Sequence, residues 1–238
     1  MPIKRSAGNM YPWVDFTHTH LGGECSHKCA YCYVEDPRWG RALRYQGALR
    51  LIEQEFAVRY DRETLAGLLG GKYPAVIFEE HCNDLFAGDV PPSFIYDIIL
   101  HCRKYQDNTF VFQSKNPARM LQVGAMFWPA HSIFGTTIET NRIIPGMSLA
   151  PPPRERYEAM MKIPGRKFIT IEPVLDFDVD VLAGWIAEIR PEFLNLGADS
   201  KSRGLPEPTV QKVMALVEKL HEYGIELREK RNLRRLKT

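Results

Sequence analysis

Three cysteines stand within one short stretch, Gly22-Gly23-Glu24-Cys25-Ser26-His27-Lys28-Cys29-Ala30-Tyr31-Cys32-Tyr33. The C-x3-C-x2-C spacing puts three thiolate donors on one loop, and soft donors of this kind select iron–sulfur clusters or zinc. Three thiolates can hold three irons of a cubane and leave the fourth iron open to a small ligand that chelates through nitrogen and oxygen. The rival reading is zinc, with His18, His20 or His27 as the fourth ligand. Zinc sites usually draw on two ligand pairs, and the next cysteine after the loop, Cys82, is far along the chain. Gly22 and Gly23 allow a tight backbone turn just ahead of the first thiol.

These thiols need a reducing surrounding. Five cysteines, an odd number with three in one cluster, do not read as a disulfide framework in a chain of 238 residues. Lys4 and Arg5 are not followed by an apolar signal region, and no apolar run approaches the ~18 residues of a membrane span. A cytoplasmic protein with no membrane partner is expected. The net charge of +2 is too small to imply a polyanionic partner. The last eleven residues, however, hold Arg228, Lys230, Arg231, Arg234, Arg235 and Lys237 against Glu229 alone. Such a segment reads either as a frayed, solvated terminus or as a phosphate-attracting tail.

The elements that position the loop alternate. Strand-like runs at 13–18, 75–79, 109–113, 132–138, 167–172 and 192–196 are short and rich in Val, Ile and Phe. Helical stripes fall between or after them: Phe94, Ile95, Ile98, Ile99 and Cys102; Val181, Leu182, Trp185, Ile186 and Ile189; Val210, Val213, Met214, Val217 and Leu220. With 45% hydrophobic residues there is enough apolar material for a sizeable core. Strict alternation predicts an α/β fold with a parallel sheet, either a partial barrel or a doubly wound sheet, and periodicity does not separate the two. In both, functional loops follow the C-terminal ends of the strands. The expected layout is an N-terminal extension over 1–12, a core over 13–223 and a basic tail over 224–238.

Polar residues gather at those strand ends: Glu79, Glu80, His81, Cys82, Asn83 and Asp84; Ser114 and Lys115; Thr136, Thr137, Glu139, Asn141 and Arg142; Glu172; Asn195, Asp199 and Ser200. Unpaired polar groups are costly to bury, so a ring of them predicts a wet, ligand-binding mouth. Cys82 reads as a thiol near the chemistry or as a small buried hydrophobe, and Cys102 reads as core. His18 and His20, at alternate positions, point to one side of an extended segment and carry no assigned role.

A C-x3-C-x-aromatic-C loop after a first strand, with Tyr31 as the aromatic, resembles the radical S-adenosylmethionine (SAM) superfamily. The pieces Asn83-Asp84-Leu85-Phe86, Asp89-Val90-Pro91, Lys115-Asn116-Pro117-Ala118-Arg119-Met120, Gly135-Thr136-Thr137-Ile138-Glu139-Thr140-Asn141-Arg142 and Ile171-Glu172-Pro173-Val174 occur in that order. Together they are similar to an uncharacterised radical-SAM-like family described only as phage proteins with a domain of unknown function. The likeness covers roughly residues 10 to 200, and it departs at Gly197-Ala198-Asp199-Ser200, where that family often has Gly-Gly-Glu-Ser.

The resemblance implies a partial (β/α)6 TIM-like barrel with parallel strands. It also implies a [4Fe–4S] cluster on Cys25, Cys29 and Cys32, reductive cleavage of SAM to a 5′-deoxyadenosyl radical, and an electron donor such as flavodoxin or ferredoxin. Glu79 or Glu80 would then accept the SAM ammonium, and Lys115 or Arg142 would pair with its carboxylate. Glu139 or Asn141 would take the ribose, with Tyr31 and Thr137 lining the same site. Cys82 as hydrogen-atom donor, Glu172 and Asp199 would face substrate. Arg38, Arg41, Arg44 and Arg50, with the basic tail, point to a nucleotide or nucleic acid as substrate, with a peptide or small metabolite as the alternative. The competing function is a zinc-bearing nucleic-acid-binding module using the basic tail with Trp13, Tyr31 and Trp39.

Overall fold

A computed structural model describes residues 3–7, 10–35, 43–201 and 203–237. Arg38, Trp39 and Arg41 lie outside the described residues. The chain divides into two compact units, the first comprising 1–26, 33–114 and 122–133, the second 27–32, 115–121 and 134–238.

The first unit holds β1 (Lys4–Arg5), β2 (Phe16–His18), β3 (Leu21–Gly22), β4 (Arg50–Leu51), α1 (Arg62–Leu68), β5 (Val76–Glu79), α2 (Pro92–Arg103) and β6 (Thr109–Gln113). Four of these strands lie side by side in the order β1-β2-β5-β6. β2, β5 and β6 run parallel, and β1 pairs with β2 in the opposite sense. Ile77, Phe110 and Val111 are fully buried, as strands covered on both faces require. β3 and β4 form a separate antiparallel pair.

That pair shapes the approach to the first cysteine. Gly23 has φ +92°, and a Cβ there would come within 2.4 Å of the Ala48 carbonyl oxygen. Backbone sits where a side chain would go, so glycine is obligatory. Gly23→Ala combines a left-handed backbone with that clash. It is expected to cost about 1–3 kcal/mol or more, measured as a lowered urea midpoint at unchanged slope.

Most of the second unit's elements follow: α3 (Pro117–Met120), β7 (His131–Thr137, whose first three residues belong to the first unit), α4 (Pro153–Lys162), β8 (Arg166–Ile171), α5 (Val179–Ile189), β9 (Phe193–Leu196), α6 (Val210–Glu222) and β10 (Leu227–Glu229). Its strands are ordered β7-β8-β9-β10, and β8, β9 and β10 are parallel. Thr209 caps α6 by accepting a hydrogen bond from the Lys212 amide at 3.3 Å.

Every strand and helix expected from periodicity is present within a few residues. The C-terminal segment is not a frayed tail. Leu227–Glu229 adds a strand beside β9, and Leu233 is fully buried in the turn of helix that follows. Among the described residues no helix is long and apolar enough to cross a membrane.

Candidate functional site

In the second unit the later half of the cysteine loop is tied down along its length. The Ala30 amide donates to the Met147 carbonyl at 2.9 Å, and the Leu149 amide to the His27 carbonyl at 2.7 Å. Ser148 Oγ lies 3.3 Å from Cys29 Sγ. Arg203 spreads its guanidinium over the loop, donating to the Ala30 carbonyl at 2.8 Å and the Cys32 carbonyl at 3.0 Å. The Tyr31 hydroxyl donates to the Glu139 carboxylate.

Glu139 is buried, and its other oxygen accepts from Arg156 Nη1 at 2.7 Å. Arg156 is equally buried and also donates to the Thr137 and Pro151 carbonyls. Lys115 Nζ stands 3.9 Å from Glu139 and 5.2 Å above the Tyr31 ring. Burial alone would raise the Glu139 pKa, but the Arg156 and Lys115 cations hold it below the usual carboxylate range. Burial, with the Glu139 charge behind it, pushes the Tyr31 phenol well above its ordinary value. Tyr31 is therefore a neutral donor and Glu139 a fixed anion. Both line a pocket with Arg142, Ser148 and Arg156.

The first unit holds the other predicted group. Glu80, at φ +61°, turns its carboxylate back to accept the His20 and Leu21 amides at 2.9 and 3.1 Å. Glu79 is buried beside His20, whose Nδ1 is 3.3 Å from Glu79 Oε2 and 3.2 Å from Glu80 Oε1. Burial opposes a charge on His20, yet the Glu79 and Glu80 carboxylates raise its pKa to about 9. Cys82 is half-buried. Its sulfur is 3.6 Å from His81 Nδ1, and its amide donates to Thr19 Oγ1. Cys102 is core. Ser26, between the cysteines, donates to Asp89 at 2.5 Å.

His101 also belongs to this buried group. Burial first, and the His20 charge second, hold its pKa down to about 4. The unfolded chain therefore takes up a proton there that the folded chain does not, between its ordinary value of about 6.5 and 4. Stability is expected to fall as pH drops through that window, by at most about 1.4 kcal/mol per pH unit. Denaturation of wild type and His101→Phe at several pH values checks this, because the variant loses that part of the slope.

Other predicted residues are committed to the scaffold. Arg142 bridges Asp176 and Asp178, and Asn141 donates to Asp178 at 3.0 Å. Glu172 accepts from Lys230 at 2.7 Å and Asn232 at 3.2 Å. Asp199 accepts the Lys201 and Arg203 amides and so shapes the loop that delivers Arg203. The tail cations are paired as well: Lys230 with Glu172, Arg235 with Glu207, Lys237 with Glu229 and Arg228 with Glu226. Arg44 pairs with Glu55, and Arg50 donates to the carbonyls of Arg44, Gln46 and Ala48. Arg156, Arg203 and Ser148 were not singled out in the sequence, because each looks like an ordinary surface residue until its partners are seen.

The profile of the family described as "Protein of unknown function (DUF5131)" matches residues 10–189. The chain belongs to that family. No curated protein sequence matches this DUF5131 chain. Solved structures do. A mutant of spore photoproduct lyase superposes with TM-score 0.64 at 12% identity, covering 95% of this chain and 80% of that one. Another, with bound AdoMet and dinucleoside spore photoproduct, gives TM-score 0.56 at 13% identity, covering 93% and 66%. Streptococcus suis SuiB bound to S-adenosylmethionine gives 0.59 at 10% identity, covering 90% of this chain and half of SuiB. The DUF5131 chain thus has an α/β fold of mostly parallel strands with flanking helices, similar to the partial TIM barrels of radical SAM enzymes.

Proposed function

We propose that this protein is a radical SAM enzyme, with Cys25, Cys29 and Cys32 holding a [4Fe–4S] cluster and SAM as the ligand of its open iron. The observation that carries the reading is a C-x3-C-x2-C loop on a chain whose fold is shared, over 95% of its length, with spore photoproduct lyase. The donor set suits the cluster: none of the three cysteines is tied up in a disulfide, and none is fully buried. When bound, the cluster supplies the electron that splits the C5′–S bond of SAM, so that a 5′-deoxyadenosyl radical is available to take hydrogen from substrate.

The chain's own residues hold, orient and exclude water. Arg203 and the Ser148 hydroxyl keep the loop around Cys29 and Cys32 in one conformation. Glu80 is assigned to the SAM ammonium, since a carboxylate that accepts two amides retains lone pairs for a third donor. Lys115 is assigned to the SAM carboxylate as a partly buried cation just past the end of β6. Tyr31, Thr137 and Glu139 line the nucleoside side. Cys82 is the assigned hydrogen-atom donor, while Arg142, Glu172 and Asp199 act as positioning residues through the contacts described above.

The preferred substrate class is a nucleotide or nucleic acid, supported by the dinucleoside bound in the spore photoproduct lyase complex. A peptide is the second reading, supported by SuiB bound to its precursor peptide. Four of the tail cations are paired with acids, which weakens the tail as support for either. The test is anaerobic incubation with SAM and a reductant, flavodoxin or dithionite, using oligonucleotides and peptides deuterated at carbon. Deuterium appearing in 5′-deoxyadenosine from oligonucleotides alone supports the first class, and from peptides alone the second. No 5′-deoxyadenosine under any condition refutes the enzyme.

A further inference from the structure

The same strand ends carry a group of side chains that the proposed chemistry leaves unused. We propose that His18, His20 and Glu79 form a second, structural metal site that takes a divalent transition ion of the zinc type. The parallel pairing of β2 with β5 sets His18 directly beside Glu79. His20 follows two residues later, with its ring centroid 4.3 Å from that of His18. One potential ligand atom from each residue lies within 4.8 Å of the others, and all three residues are buried. Two imidazoles and a carboxylate make a donor set that zinc and its neighbours favour and that calcium and magnesium do not.

An independent observation marks the place as built to hold a cation. Both oxygens of Glu79 are buried and lack a hydrogen bond of good geometry, although His20 Nδ1 is in ion-pair range at 3.3 Å and the Tyr60 hydroxyl lies nearby. His20 Nε2 is likewise buried without a hydrogen-bond partner. Such groups are costly to leave unmatched, and a shared ion would match both. The neighbouring acids do not relieve Glu79. Glu80 serves the His20 and Leu21 amides, and Glu55 serves Arg44 and His18.

Glu55 adds a feature common where histidine binds metal. Its Oε2 is 2.9 Å from His18 Nε2, and a carboxylate on one ring nitrogen fixes the tautomer that offers the other. Tyr60 closes the far side with its hydroxyl hydrogen-bonded to His18 Nδ1, so a metal bound there would displace that hydroxyl. The site would clamp the ends of β2 and β5 to the segment that leads into Gly22 and Gly23. It contains none of the loop cysteines, so it stands or falls separately from the iron–sulfur reading.

Wild-type protein expressed with added zinc and reconstituted anaerobically with iron and sulfide is dialysed against a chelator, then analysed for both metals. Zinc is expected to remain, one per chain. Glu79→Gln, which keeps the size of the side chain, and His20→Ala should each bind zinc at least about tenfold more weakly while iron content is unchanged. A Cys25→Ala/Cys29→Ala/Cys32→Ala variant should lose iron and keep zinc. Zinc that disappears with the cysteines, zinc held as tightly by Glu79→Gln as by wild type, or wild type with no zinc overturns the site; in the last case a protonated His20 alone answers the Glu79 charge. Should a variant fail to fold, cobalt in the wild type decides. Cobalt bands of a nitrogen and oxygen site without a sulfur charge-transfer band support the proposal, and a sulfur band alone contradicts it.

Discussion

Cys29→Ala protein is expected to form no 5′-deoxyadenosine above background when wild type forms it readily. Assembly of the proposed cluster would need all three thiolates, because each would bind a different iron of the cubane. Loss of a mere outer partner of a metal site commonly costs about 10–100-fold in affinity or activity, and removal of a direct ligand must cost at least the upper end of that range. The substitution leaves the fold alone. Cys29 is only partly buried; the substitution removes the Ser148 contact to its sulfur, and the other contacts that hold its loop run through backbone atoms, Arg203 and Tyr31. Melting of the apo-variant within a few degrees of apo wild type, together with lost iron and lost SAM cleavage, is the expected pattern. Undiminished cleavage by Cys29→Ala would remove the thiol from the chemistry.

The second large effect concerns stability. Arg156 and Glu139 form a buried ion pair at 2.7 Å, each residue about 3% exposed. Removing one partner of such a pair strands a charge in a poor solvent, at a cost of about 3–5 kcal/mol. Arg156→Ala is therefore expected to lower the denaturation free energy by that amount and to loosen Tyr31, whose hydroxyl bonds to the same carboxylate. Replacing both partners, as Arg156→Leu/Glu139→Leu, should recover much of the loss, because no lone charge is then buried. Urea denaturation of Arg156→Leu, Glu139→Leu and the double variant measures the coupling. A cost under about 1 kcal/mol for Arg156→Ala, the value of an exposed pair, would show that the pair is hydrated.

The residues of these two predictions differ in how plainly they can be read from the chain. The cysteine loop is contiguous, so its chemistry is visible in twelve letters. The parallel strands are legible for a similar local reason: Val76, Ile77 and Phe78, and Phe110, Val111 and Phe112, are consecutive apolar residues with no polar face to confuse them. α4 is not legible. Its buried face is Pro153, Arg156, Tyr157, Ala159 and Met160, and an arginine at its centre breaks the apolar stripe by which helices are recognised. The partner that makes burial of Arg156 tolerable is Glu139, beyond the end of another strand, and nothing local announces it.

The C-terminal segment was obscured in the same way. Its charges suggest solvent, but Arg228, Lys230, Arg235 and Lys237 each meet an acid, and the apolar Leu233 anchors the stretch. His18 and His20 show the limit from the other direction. Their alternate spacing was apparent, while the register that lays Glu79 beside them belongs to strand pairing alone.

In the proposed enzyme, three thiols of one loop leave an iron open to SAM. Electron paramagnetic resonance of the reduced wild-type protein, reconstituted without oxygen and recorded with and without SAM, tests it most directly. A cubane signal that changes when SAM is added and vanishes in Cys29→Ala is the predicted result. A cubane signal indifferent to SAM, or a single metal ion closed by four protein ligands, would contradict it.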